Sequence, residues 1–540
     1  MTRLLQIFGF FSVLFRGATL SLQSLTIGGI AFLLVVVGRS SAESETLRSA
    51  CLRWIRRAAL ALAVMQVVYV LANALILMQS TDMTFAQVSG ATFAIAGVLA
   101  SASALTIAAL AGAPRSRGHA GMLLPAAVIL VSSVMTSHSV ARLEYRVPLT
   151  MFTALHQAAT ATWLGGLPYL LIGLRGSPDL EFARQLTARF SKLALCSVAV
   201  LATAGLTLSL AYVGSLNAIY GTSYGIMVAT KVVLFGILLL LGALNFQIVH
   251  RSQGAAAIAS LRRFGEAEIG IGITVILTAA SLTSLPPAAD LQQGRVSAAE
   301  IVARISPRLP RLASPSLRDL PEDIYANQQK SIDAGVLSTA SFIPGQAGTR
   351  PNTPAEKSWS EYNHHWAGVF VLAMGLLASL ERAGVRAARH WPLVFLGLAA
   401  FLFARNDPRA WPLGPAGFWE SMTLPDVLQH RAFVLLIVAF GIFEWSVRTG
   451  RLGPRPWSFV FPLLGAVGGG LLLTHSHAMF NLKDEFLTEV THAPLGVLGA
   501  FMSWARWAEL RLPDAGAPAG WIWRVCLVAV GLLLLVYREG

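Results

Sequence analysis

Histidine is the residue type whose placement points most directly to chemistry in this chain. Of the eleven histidines, two flank a serine in His475-Ser-His477, another follows at His492, and His364 and His365 are adjacent. Imidazole is the commonest side-chain ligand for transition metals, and it suits copper, zinc, iron and nickel. A single histidine at a helix end usually acts as a cap or hydrogen-bond partner. Paired histidines with a third close by favour a metal site.

Three further histidines extend this pattern, and two of them have a methionine nearby. Met135 precedes His138 by three residues, which would place both on one helical face, and Met151 precedes His156 by five; His430 stands alone. Thioether together with imidazole favours copper, Cu(I) especially, over Mg or Ca. The sequence therefore predicts copper binding. The candidate ligands are His138, His156, His364, His365, His430, His475, His477, His492, Met135 and Met151.

The elements that would position these residues are membrane-spanning helices. The chain has 540 residues, 55% of them hydrophobic and only 13% charged, whereas soluble domains carry about 25% charged residues. Apolar runs long enough to cross a bilayer recur throughout. Backbone groups in a bilayer must pair internally, so long apolar runs without alternation predict helices rather than barrel strands. We predict fourteen spans: 12–37, 55–78, 87–112, 120–141, 149–174, 192–213, 224–249, 267–286, 364–381, 391–404, 430–447, 457–477, 492–508 and 520–537.

A polar segment divides these spans into two groups. Seven prolines lie between residues 307 and 354, and prolines this frequent forbid long regular structure. We therefore expect an irregular external connector with a short helix near 296–304. The predicted fold is an all-α polytopic membrane protein with an eight-helix and a six-helix bundle. Its predicted domains are a membrane domain (1–286), the connector (287–361) and a histidine-containing membrane domain (362–540).

The basic residues predict the orientation of the chain. Arginine and lysine concentrate in one set of short loops, whereas the opposite loops 79–86 and 214–223 contain none. The basic loops should be cytoplasmic, which places both termini outside. Eight of the eleven histidines then map to the outer face, although histidine played no part in setting the topology. We expect a multi-pass protein of the bacterial inner (plasma) membrane whose metal sites face the periplasm.

The charged residues exclude some functions and leave others open. The formal net charge is +14, but arginines in short loops set topology and contact anionic lipid headgroups, so nucleic acid is not an expected partner. Arg16 and Lys231 fall within apolar runs, where a charge either has a functional role or a buried partner, or reaches the membrane surface with its head group. Glu268 could pair with Arg262 or Arg263. No phosphate-binding motif is present, so ATP-driven pumping is not expected.

An ordered set of short motifs in the front half resembles the copper resistance protein D family of bacterial inner-membrane proteins. The set spans about 10–288 and comprises His156, Trp163-Leu-Gly165-Gly166, Arg189-Phe190-Ser191-Lys192, Tyr224-Gly225, Lys231, Gly242-Ala-Leu-Asn245, Glu268 and Leu285-Pro286-Pro287.

This resemblance implies a role in copper tolerance or copper uptake, often together with a periplasmic copper-binding partner. It carries over His156 and, more loosely, His138, because Ser137 stands where family members often have glycine. The back half, 360–510, looks like an extension found on some longer members.

Three functions remain open at this level. The first, which we predict, is a copper-binding protein of copper uptake and homeostasis, a transporter or metal-delivery protein rather than an enzyme. The second is a membrane oxidoreductase holding haem b or a copper redox centre near the outer face. The third is a scaffold that delivers copper to a cuproenzyme. The expected partners are copper ions, membrane lipids and a periplasmic copper-binding protein or cuproenzyme.

Overall fold

The computed structural model describes residues 2–37, 42–81, 83–113, 119–176, 179–251, 255–291, 295–320, 353–423, 425–453, 456–474, 483–512 and 517–539. All regular secondary structure within these ranges is helical. The prediction of an all-α polytopic membrane protein is confirmed.

Fourteen main helices follow one another in the described part of the chain, and each overlaps one of the predicted spans. They are α1 (Thr2–Ala31, continued by a π-helical turn, Phe32–Val36), α2 (Ala42–Thr81), α3 (Thr92–Gly112), α4 (Leu123–Met135), α5 (Arg146–Gly176), α6 (Leu180–Val213), α7 (Ser223–Arg251), α8 (Ala255–Leu282), α9 (Pro354–Arg382), α10 (Val394–Arg405, preceded by a 3-10 turn, Arg386–Leu393), α11 (Pro425–Arg448), α12 (Val460–Thr474), α13 (Lys483–Arg511) and α14 (Ala517–Leu535).

Ten helices in the described ranges are long and apolar enough to cross a membrane. The other four predicted spans fall on α4, which is shorter, and on α5, α9 and α13. These last three carry His156, His364 and His492. Polar side chains lower the mean hydropathy of a helix. Three of the four helices that depart from the apolar pattern carry a candidate histidine ligand.

The chain divides into two compact units. The front unit consists almost entirely of Met1–Arg295, and the back unit consists mainly of Val296–Leu473 and Asn481–Gly540. The short helix expected near 296–304 lies at Ala298–Ile305. Ser297 begins it with a capping box, in which Glu300 accepts a hydrogen bond from the Ser297 backbone N–H at 2.8 Å.

In the front unit, α1 lies against α2, α5 and α8, and α5 also packs on α6. Glycines allow α1 and α5 to approach closely. A Cβ atom added to Gly165 would overlap the carbonyl group of Ser24, and one added to Gly28 would overlap that of Ala161. The Trp-Leu-Gly-Gly motif of the sequence is therefore a helix-contact motif, which fixes α5 and the side chains it carries.

In the back unit, α14 is packed between α9 and α13. Glycines again set the closest contacts: Gly368 of α9 faces the α14 backbone near Leu535, and Gly531 of α14 faces Leu372. At one end of these helices the indole rings of Trp391 and Trp523 are fully buried. This packing brings the histidine-bearing ends of α9 and α13 together with the residues that follow α14.

Candidate functional site

His156 lies inside the front unit, where α5 packs on α6. Its ring rests on the turn Leu201–Gly205, and a Cβ atom added to Gly205 would lie 3.3 Å from the imidazole Cε1. The absence of a side chain at Gly205 therefore makes the space that the ring occupies. Within the described structure, no hydrogen bond of normal geometry reaches the buried Nδ1 atom of His156, although the Leu201 backbone lies close enough to interact with the ring. An unsatisfied imidazole nitrogen in a buried position is a candidate for a ligand or a proton.

Other polar groups surround His156 in the front unit. Lys231 of α7 interacts electrostatically with the ring. The next residue, Gln157, accepts a hydrogen bond from Gln23 of α1 at 3.4 Å. Helices α1 and α7 thus each contribute a polar side chain that interacts with His156 or with its neighbour Gln157 in α5. Polar side chains in a bundle interior are energetically costly and usually mark a functional site.

Arg16 belongs to the same interior and does not reach the surface. Its side chain is 5% exposed, and Nη2 donates to the Ser133 carbonyl oxygen at 3.3 Å and to its hydroxyl at 3.5 Å. Of the two readings offered by the sequence, the buried partner is therefore correct for Arg16.

The structure separates the methionines from their histidines in the front half. Helix α4 ends at Met135, and Ser137, in an extended conformation, begins a new short helix, His138–Ala141. The expected shared helical face is therefore absent. His138 Nε2 donates to the Leu282 carbonyl oxygen at 3.1 Å, which leaves its Nδ1 as the acceptor nitrogen. Met151 is exposed on α5.

Glu268 was expected to pair with Arg262 or Arg263, but it pairs instead with Asn245 of α7. Both side chains are buried, and the Asn245 amide donates to a carboxyl oxygen of Glu268. Both residues belong to the motif set of the front half. Their pairing joins α7 to α8 through a buried hydrogen bond.

Three aromatic rings meet in the back unit, and we call His364, His492 and Tyr537 the ring cluster. The ring centroids of His364 and His492 are 6.0 Å apart, with the ring planes at 85°. Tyr537 stacks on His364 at 3.9 Å and lies 5.8 Å from His492. One candidate ligand from α9 and one from α13 are thus brought together.

A hydrogen-bond network supports the ring cluster. His364 Nδ1 donates to the Ser360 carbonyl oxygen at 2.8 Å. The hydroxyl groups of Ser360 and Tyr537 each donate to the same carboxyl oxygen of Glu539 at 2.6 Å. Burial alone would raise the pKa of the Glu539 carboxyl, but these two hydrogen bonds and the electrostatic interactions with His364 and Arg304 lower it below its usual value.

His365 has a different environment from its neighbour. Its Nδ1 accepts the backbone N–H of Arg311 at 2.7 Å, and its Nε2 donates to the Tyr537 carbonyl oxygen at 2.8 Å. Both ring nitrogens are thus held by backbone groups. The ring is 5% exposed, so His365 fixes the segment after α14 and the connector against α9.

His430 forms a separate pair with Asp407. His430 Nδ1 lies 2.7 Å from a carboxyl oxygen of Asp407, whose side chain is nearly fully buried. A carboxylate behind an imidazole is the usual support of a metal-binding histidine. Asn406, next to Asp407, accepts a hydrogen bond from Asn363, next to His364, at 3.5 Å, so the pair lies beside the same helix, α9.

His475 and His477 lie outside the described residues. Among the residues that are described, no group of three or more histidine, cysteine, aspartate or glutamate side chains is arranged to hold a metal ion. Sequence reasoning missed Ser360, Tyr537 and Glu539. Tyr537 and Glu539 follow directly after the last apolar helix, and polar residues at that position were the only available signal.

Comparison with known proteins supplies the chemical context. The family model for copper resistance protein D matches residues 184–282, which covers most of α6 and all of α7 and α8. The copper transport protein CutJ of Bacillus subtilis (strain 168) is 32% identical over 161 residues, which is 29% of this chain and 29% of that protein. The match therefore spans less than a third of this relative. No solved structure matches the chain significantly. The resemblance predicted from the sequence is confirmed over 184–282.

Proposed function

We propose that this multi-pass, copper-related membrane protein takes up copper through its front unit, with His156 as the central ligand. One observation supports this proposal above the others. The unsatisfied Nδ1 of His156 is buried against Gly205, and Gly205 lies inside the segment that matches the copper resistance family. The buried polar group thus borders the segment that matches the family model.

The surrounding residues fit passage of a cation better than permanent storage. Lys231 places a positive charge near His156, and a like charge weakens the binding of Cu(I) or Cu(II). A site from which the ion must leave again benefits from such weakening, whereas a storage site does not. His138, with its Nε2 held by Leu282, offers its Nδ1 as a second ligand nearer the end of the unit.

Orientation and partners form part of the same proposal. The basic loops face the cytoplasm of a bacterial inner membrane, and the histidine-bearing helix ends face the periplasm. Copper then enters from the periplasmic side, where a soluble copper-binding protein is the natural donor. A copper-delivery role towards a cuproenzyme would use the same entrance.

Copper accumulation in cells tests the proposal. Cells that express the wild-type protein, His156→Ala or His156→Asn are grown in limiting copper, and cell copper is measured by mass spectrometry at equal membrane abundance. We expect both variants to reduce accumulation roughly tenfold or more, as loss of a metal ligand does elsewhere. His119→Ala, on the predicted cytoplasmic side, is the matched control and should retain accumulation. Wild-type accumulation by both His156 variants would rule out the front-unit site.

A further inference from the structure

We propose that His364 and His492 form a second copper site, a two-imidazole Cu(I) site in the back unit. The family match ends at residue 282 and includes neither histidine. The choice of copper among imidazole-binding metals rests on the proposed function, but the geometry of the site does not.

The hydrogen bond to Ser360 fixes the tautomer of His364. A carbonyl oxygen only accepts hydrogen bonds, so His364 Nδ1, at 2.8 Å from the Ser360 carbonyl, carries the proton. The neutral ring then presents the lone pair of Nε2. Metal-binding histidines typically have this arrangement, in which the other ring nitrogen donates to a carbonyl or carboxylate group.

The distance between the two histidine rings agrees with a metal ion bound between them. A metal held in line between two imidazole nitrogens, at about 2.0 Å from each, places the ring centroids roughly 6 Å apart. The observed separation of His364 and His492 is 6.0 Å. Two ligands suffice for Cu(I), a d10 ion that is stable in linear two-coordinate complexes. Zinc sites in proteins almost always use four ligands.

The charged groups around the ring cluster favour a monovalent ion. Glu539 is the carboxylate behind Ser360 and Tyr537. Arg304, which is 3% exposed, lies with its guanidinium carbon 5.9 Å from the centre of the Tyr537 ring. Arg538 and Glu361 also act on Arg304, so two carboxylates face two guanidinium groups and the surroundings add no net negative charge. A monovalent ion is therefore easier to accommodate than a divalent one in this buried position.

The same residues argue against haem. Tyr537 lies 3.9 Å from the His364 ring and 5.8 Å from the His492 ring. A haem between the two histidines would have to displace this stacked tyrosine and break its hydrogen bond to Glu539. A haem therefore does not fit between these rings without a rearrangement of Tyr537.

The experiment uses the full-length protein in detergent, with His156→Ala as the background so that the front site is removed. Anaerobic Cu(I) is titrated against a colorimetric chelator, and X-ray absorption reports the coordination of the bound ion. We expect one Cu(I) with two nitrogen ligands. Adding His364→Ala or His492→Ala should remove that ion, whereas adding His390→Gln, in the same unit, should leave it in place.

Glu539→Gln is a second variant, which tests the site without removing either imidazole. It weakens only the hydrogen bonds that Glu539 accepts from Ser360 and Tyr537. It should weaken Cu(I) binding roughly tenfold or more without changing the coordination, as loss of a supporting group does at other metal sites. Retained copper in folded His364→Ala and His492→Ala would overturn the site. An iron-containing protein with a Soret band that His364→Ala abolishes would overturn it in favour of haem. If the front unit fails to transport copper, loss of Cu(I) on His364→Ala still establishes this site.

Discussion

Gly165 of α5 lies so close to the carbonyl group of Ser24 in α1 that no side chain fits between the two helices. Replacing Gly165 with alanine should force α1 and α5 apart. Overpacking of this kind costs about 1–3 kcal/mol, so the unfolding temperature of the detergent-purified protein should fall, as followed by tryptophan fluorescence.

The same motif set provides a matched control for this change. Gly242 of α7 has no atom within 4 Å of the position that a Cβ would take, and alanine is the better helix former by about 1 kcal/mol. Gly242→Ala should therefore keep or slightly raise the unfolding temperature. Equal temperatures for the two variants would mean that the close contact of α1 and α5 does not matter for stability.

Lys231 should weaken copper binding at His156 through its charge. In Lys231→Met the repulsion is removed while most of the side-chain volume remains, so Cu(I) affinity in the His364→Ala background should rise by roughly an order of magnitude. Chelator competition measures the affinity. Lys192→Met, which removes an exposed charge on α6, should leave it unchanged. Lower affinity in Lys231→Met would instead identify Lys231 as a residue that helps to hold the ion or its counter-ion.

The sequence predicts the helices of this protein well and the candidate sites only in part. Hydropathy and length locate all fourteen helices because both are properties of a local stretch of chain. The contacts of two adjacent histidines, in contrast, depend on residues that are distant in the sequence. His365 is held by backbone groups of Arg311 and Tyr537, whereas His364 stacks on the Tyr537 ring. Which of the pair faces these distant segments depends on tertiary packing.

Glu539 should make the stability of the back unit depend on pH. Its pKa is lowered in the folded protein, because hydrogen bonds from Ser360 and Tyr537 and neighbouring charges outweigh the effect of burial. A lowered carboxyl pKa stabilises the fold above the unfolded value of about 4.3, and this contribution is lost as the pH falls through the lower folded value.

Comparison of wild type with Glu539→Gln isolates this contribution. The wild-type protein should unfold at a higher temperature than the variant at pH 6, and the difference should shrink as the pH falls from about 5 to 3, across the ordinary carboxyl pKa of about 4.3. A difference that persists unchanged at pH 3 would show that packing rather than ionisation of Glu539 provides the stabilisation.

Glu509 holds together a buried group of basic and aromatic side chains at the far end of α13. It accepts hydrogen bonds from Trp523 Nε1 at 2.6 Å, from Arg524 at 3.1 Å and from Arg506, and it lies 3.7 Å from Arg382. Glu509→Gln leaves these guanidinium groups without their counter-charge. Breaking a buried pair in this way costs about 3–5 kcal/mol, which should appear as a large drop in unfolding temperature or in folded yield.

An exposed carboxylate of the same unit shows whether charge alone is responsible. The exposed Glu420 carboxylate lies in a short helix and accepts a weak hydrogen bond from the Gly417 backbone N–H at 3.3 Å. Glu420→Gln should change the free energy of unfolding by less than about 0.5 kcal/mol. Similar losses for Glu420→Gln and Glu509→Gln would contradict the role of the buried network.

The pairing of Asn245 with Glu268 predicts strong coupling between α7 and α8. Removing one partner leaves a buried polar group unsatisfied, at a cost of about 1–3 kcal/mol, whereas replacing both with apolar groups of the same shape is nearly neutral. Asn245→Leu and Glu268→Met should therefore each lower the unfolding temperature, and the double variant should recover most of the loss. Because residues in contact depart from additivity, a double-mutant cycle measures the interaction directly. Losses that simply add in the double variant would show that the two side chains act separately, and Glu268 would then have to find its partner elsewhere in the bundle.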